Sequence, residues 1–86
     1  MEYIVSKQFD KDFSKLPIKT KKKAISAFQL FVDDPDSLAL RRHKLTGKLK
    51  EYFSINVTGD IRALYVHVEI DLVQFVAIGS HSKLYK

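Results

Sequence analysis

Apolar and polar residues change their spacing twice along this 86-residue chain, and each change marks a new kind of element. Glu2 to Val5 is a short β-prone stretch through Tyr3, Ile4 and Val5, which predicts a first strand. Ser6 stands where a helix N-cap belongs, and Phe9, Phe13 and Leu16 recur at spacings of four and three, one apolar face of a short helix. Pro17 interrupts that pattern. Because proline is tolerated in a first helical turn, it predicts a second helix reaching about Val32, with Ala24, Ile25, Phe28, Phe31 and Val32 as the buried side. Asp33-Asp34-Pro35-Asp36-Ser37 is a stop signal, since the residue before proline disfavours helical geometry, and a loop follows.

From Tyr52 the period becomes two: Phe53, Ile55 and Val57 alternate with Tyr52, Ser54 and Asn56, a strand with one face in the core. Thr58-Gly59-Asp60 predicts a tight hairpin into a strand from Ile61 to Val68, and Glu69-Ile70-Asp71 a second turn into a strand from Leu72 to Ile78 that Gly79 ends. These elements make an α+β domain in the order β-α-α-β-β-β: two N-terminal helices on a small antiparallel sheet, the first strand added at one side, and a short C-terminal helical turn. Residues 1–86 are read as one domain, with no repeat or low-complexity tract.

Composition narrows the picture. With no cysteine the chain has neither disulfides nor thiolate metal sites, and its three scattered histidines lack ligand spacing, so no metal or other cofactor is expected. The N-terminus lacks the basic flank and long apolar run of a signal peptide, and no window approaches the roughly 20 apolar residues of a membrane span. A cytoplasmic protein without a membrane partner is the expectation. The net charge of +5 is unevenly placed: residues 1–50 hold twelve Lys/Arg against six Asp/Glu, and residues 51–86 three against four. Arg41, Arg42, Lys44, Lys48 and Lys50 crowd one ten-residue run without an acid. Such a run is a solvated face or a polyanion contact, because clustered cations neutralise phosphates and release counterions. Lys19, Lys21, Lys22 and Lys23 crowd the first turns of the second helix, the unfavourable end of its dipole for cations.

Two motifs carry chemistry: His43-Lys44-Leu45-Thr46-Gly47 in the basic run, and Ile78-Gly79-Ser80-His81-Ser82-Lys83-Leu84-Tyr85 at the end. One helical turn over the last residues would bring His81 and Tyr85, i and i+4, onto one face. Arg62 lies between apolar Ile61 and Ala63, so its guanidinium must reach solvent or a partner, with a salt bridge to Asp60, Glu69 or Asp71 as the structural alternative to phosphate binding.

Taken with the order of elements and the Arg62-Ala63-Leu64-Tyr65 strand, these motifs resemble the RelE/ParE superfamily of bacterial toxins, in particular its YafQ-like branch, over essentially the whole chain. The resemblance implies a type II toxin that cleaves mRNA in the ribosomal A site without a metal. It also implies a protein antitoxin that wraps the toxin and covers its basic site, with DNA reached only through that antitoxin. By the same resemblance His81, Arg62, His43 and Asp60 fall on catalytic positions. The branch carries a histidine at the position of Asn56 and an acid at that of Ser54, so this chain departs from the pattern twice. Asparagine can hydrogen-bond but cannot shuttle a proton at neutral pH.

The chemistry is feasible with these residues. Attack of a 2′-hydroxyl on the adjacent phosphate needs a base at the 2′-oxygen, cations around phosphorus and an acid at the departing 5′-oxygen. Histidine, with an unperturbed pKa of about 6.5, suits the proton transfers, and an arginine fork suits phosphate oxygens. Tyr85 offers a ring on which a base could stack, and Asn56 a hydrogen bond to substrate. Arg41, Arg42, Lys44, Lys48 and Lys50 are read as backbone contacts that position RNA. Asp60, beside Gly59, also has an ordinary explanation as a turn residue. Two rival readings use the same fold: a ParE-like inhibitor of DNA gyrase, and a non-enzymatic, decayed RNA-binding toxin homologue.

Overall fold

The structure, a computed structural model, describes residues 1–85. Ser6 caps α1 (Lys7–Ser14), its hydroxyl accepting the Phe9 amide at 3.0 Å while donating to the Val76 carbonyl at 3.2 Å. Pro17 is the N-cap of α2 (Ile18–Asp33), and no side chain caps that helix. Its core face is Ala24, Phe28 and Phe31, at spacings of four and three. Ile25 and Val32, expected in the core, are 50% and 38% exposed. Ala27 and Leu30 pack against the core instead, so the apolar stripe of α2 is rotated from the one hydropathy alone predicts.

The sheet has five strands in the order β1-β5-β4-β3-β2. β1 (Glu2–Val5) runs parallel to β5 (Leu72–Ser80), Glu2 opposite Leu72 and Val5 opposite Phe75. β5, β4 (Ile61–Glu69) and β3 (Phe53–Asn56) form the antiparallel meander. The expected loop after α2 instead contains a 3-10 turn at Leu38–Leu40, a two-residue strand β2 (His43–Lys44) on β3, and another 3-10 turn at Gly47–Leu49. β5 also runs through Gly79 to Ser80, and there the chain turns directly into α3 (His81–Leu84).

One sheet face packs on α1 and α2 through an aromatic core in which Phe28 and Phe75 have ring centroids 4.7 Å apart and Phe31 and Tyr65 5.1 Å. Such tilted pairs add to area burial. The polar register of β3 does not face water as alternation predicts. Ser54, opposite Leu64, is fully buried because the C-terminal segment covers that part of the second face. Among the described residues, no helix is long and apolar enough to cross a membrane.

Candidate active site

The second sheet face sets the site by register. Cross-strand partners share a face, and Asn56, Arg62 and Gly79 form one row across β3, β4 and β5. Gly79 is buried, and a Cβ there would meet Lys83 Cδ at 3.5 Å and Leu84 Cδ2 at 3.7 Å, which locates α3 against this row. Ser80 caps α3 by accepting the Lys83 amide at 3.2 Å, and the His81 amide donates to the Asp60 carbonyl at 3.0 Å. α3 is thereby fastened at its first residue to the β3–β4 hairpin. The Tyr85 amide donates to the His81 carbonyl at 3.1 Å, the single turn expected from the i, i+4 spacing, and the two rings meet edge-on with centroids 4.4 Å apart. The Tyr85 hydroxyl donates to Ser54 Oγ at 3.2 Å.

A cleft of about 510 Å³ opens beside this row. His43, Asn56, Arg62, His81 and Tyr85 line it together with Arg41, and Leu45, Thr46 and Leu49 form a partly apolar wall. Six of the eleven residues singled out in the sequence therefore converge, drawn from β2, β3, β4, α3 with its C-cap Tyr85, and the loop before β2. The wall is the part that sequence reasoning misses. Its signal is the Leu45–Leu49 spacing inside the basic run, and the loop is closed just before β3 by the Leu45 amide donating to the Tyr52 carbonyl at 3.0 Å.

Among the described residues Arg62 makes no ion pair. Its Nη1 donates to the carbonyls of Thr58 and Gly59 at 3.1 and 2.9 Å, neutral acceptors that leave its positive charge in place at the cleft. The salt bridge to Asp60, Glu69 or Asp71 weighed from the sequence is not formed. Among the described residues the only ion pair is between Arg42 and Asp36. Arg42 thus lies outside the cleft, next to the fully buried Tyr65 phenol. Burial pushes the Tyr65 pKa above its ordinary 10.0, and the nearby Arg42 charge opposes that rise. The Tyr65 hydroxyl has no hydrogen-bond partner among the described residues.

Arg41 is the one non-glycine with positive φ among them, at 46°, and its carbonyl contacts His43 Nδ1 at 3.0 Å. Asp60 does not line the cleft. Its carbonyl holds α3, its amide donates to Thr58 Oγ1 at 3.2 Å, and the residue is exposed in the bend between β3 and β4. Lys44 and Lys50 line a separate hollow at the sheet edge with Glu51 and His67, and Lys48 is exposed on the 3-10 turn. Among the described residues no three histidine, aspartate or glutamate side chains gather as metal ligands.

The fold that carries this cleft is RelE-like, the small α+β architecture of the RelE/ParE toxins. YafQ from E. coli strain BL21(DE3) superposes with a TM-score of 0.81 at 22% identity, covering 99% of this chain and 98% of that one. The E. coli DinJ-YafQ toxin-antitoxin complex gives 0.78 at 22% identity over 99% and 97%, and a YoeB/ParE toxin from Agrobacterium tumefaciens 0.75 at 14% over 94% and 99%. No protein-family model and no curated protein sequence matches the chain.

Proposed function

We propose that this protein is the toxin of a type II toxin–antitoxin pair and acts as a ribosome-dependent mRNA endoribonuclease. The observation that carries the reading is the convergence of His43, Arg62 and His81 on one cleft wide enough for a nucleotide. His43 takes the proton of the 2′-hydroxyl, whose oxygen forms a bond to phosphorus. Arg62, with Arg41, steadies the charge on the non-bridging oxygens. His81 gives a proton to the 5′-oxygen as its bond to phosphorus breaks, leaving a 2′,3′-cyclic phosphate and a free 5′-hydroxyl. Tyr85 supports a base beside the His81 ring. Asp60 serves through its main chain, and Asn56 contributes a hydrogen bond.

The likeness to a toxin held by its antitoxin supports a protein partner, here an acidic segment across residues 41–50 and the cleft. Lys44, Lys48 and Lys50 then contact RNA backbone in the free toxin and acidic side chains in the complex. Primer extension on translated message tests the activity: discrete cuts are expected with ribosomes present and absent in His81→Ala. Cuts that persist in that variant would remove the assigned acid. A gyrase supercoiling assay in parallel separates this reading from a ParE-like one, which predicts inhibited supercoiling and intact message.

A further inference from the structure

We infer that Asp36 and Arg42 are positioning residues that fix the tautomer of His43. The inference rests on the nuclease reading only for its consequence on rate. Among the described residues the exposed His43 ring makes one hydrogen bond, from Nδ1 to the Arg41 carbonyl at 3.0 Å. A carbonyl can only accept, so in the neutral ring Nδ1 carries the proton and Nε2 keeps its lone pair as the acceptor available to the cleft. A free neutral imidazole in water favours the opposite tautomer, so this contact changes what the ring can do.

The Arg41 carbonyl reaches Nδ1 because Arg41 takes left-handed geometry, φ 46° and ψ 42°, a conformation that residues with a Cβ adopt only when their flanks hold them there. On one flank Leu40 is 1% exposed and the Arg41 amide closes the 3-10 turn on the Leu38 carbonyl at 3.1 Å. On the other, Arg42 pairs with Asp36 and its side chain is only 30% exposed. Directly beyond it His43 joins the sheet opposite Ser54. The ion pair therefore closes the loop from residue 36 to residue 42 around the strained residue. It also turns Arg42 away from the cleft that its neighbour Arg41 lines.

An exposed ion pair with no other role would be expected to matter little. The test reads the ring directly, by two-bond 1H–15N correlation of the histidine side chains at about pH 8.5, where imidazole is neutral, with His43→Asn assigning the signal. The wild-type ring is expected as the Nδ1–H form. In Asp36→Asn the tautomer ratio should move toward Nε2–H by about two- to fivefold, the range that loss of an exposed ion pair allows, and Asp36→Glu should restore it. Message cleavage should lose kcat by a similar factor with KM unchanged. If Asp36 acted only by its charge, its removal would instead tighten RNA binding and lower KM. An Nε2–H ring in the wild type, or a ratio unmoved by Asp36→Asn, overturns the inference. The expected ring and shift in a protein that cuts no message would uphold it and sink the nuclease reading.

Discussion

Tyr85 and Ser54, 31 residues apart, are joined by a hydroxyl–hydroxyl hydrogen bond of 3.2 Å that seats the C-terminal turn on β3. Ser54 is fully buried, so Tyr85 is its hydrogen-bond donor in place of water. Tyr85→Phe keeps the ring at the cleft but leaves that hydroxyl without its donor, at about 1–2 kcal/mol. Thermal unfolding should show a Tm lower by about 5–15 °C. The same substitution in a Ser54→Ala background should cost markedly less, because the stranded acceptor is gone.

His81 is exposed and its ring packs on Tyr85, so its removal should be cheap for the fold and severe for chemistry. His81→Ala is expected to lower single-turnover cleavage by about 10²- to 10⁴-fold, the usual contribution of a positioned acid, with Tm nearly unchanged.

Arg62→Lys keeps a charge at the row of Asn56 and Gly79 but loses the planar fork and the paired contacts to Thr58 and Gly59. A loss of about 10²-fold or more in kcat/KM is expected. Kinetics near those of the wild type would show that the guanidinium does not hold the phosphate.

Lys44, Lys48 and Lys50 lie outside the cleft, and their joint replacement by alanine should raise KM and leave kcat alone. The slope of log affinity against log salt should fall by about 2, as expected for three lost contacts to single-stranded phosphates.

Tyr65 supplies a pH prediction. Its folded pKa is raised by burial above 10.0, so its neutral form contributes stability that is full below about pH 10 and is lost as pH rises through the folded value. Denaturant unfolding should show the wild type weakening on that alkaline side and Tyr65→Phe holding flatter.

The long strands β4 and β5 and both N-terminal helices are legible in apolar spacing, because each buries a run of apolar side chains in the core. β2 is not: two exposed residues, His43 and Lys44, carry no alternation and become a strand only by pairing with β3. Gly79 reads as a strand end in the sequence, and its place inside β5 follows from the α3 turn that comes back over it. In the cleft, the His81–Tyr85 pair could be anticipated from spacing in one helical turn. The parting of Arg41 from Arg42 could not, since it depends on left-handed geometry at one of two neighbours of identical charge. Asp60 illustrates the same limit, because its observed contacts are made by its amide and carbonyl, which nearly every residue type possesses.

The parallel pairing of β1 with β5 ties residues 2–5 to residues 72–75, so the amino-terminal strand waits for its neighbour until nearly all of these residues have been synthesised. His81 follows the last paired position, Phe75, in the same short stretch of chain, so the strand that closes the sheet also carries the chain to the cleft. A chain arrested before Leu72 lacks the partner of its first strand and should show no cooperative unfolding under force.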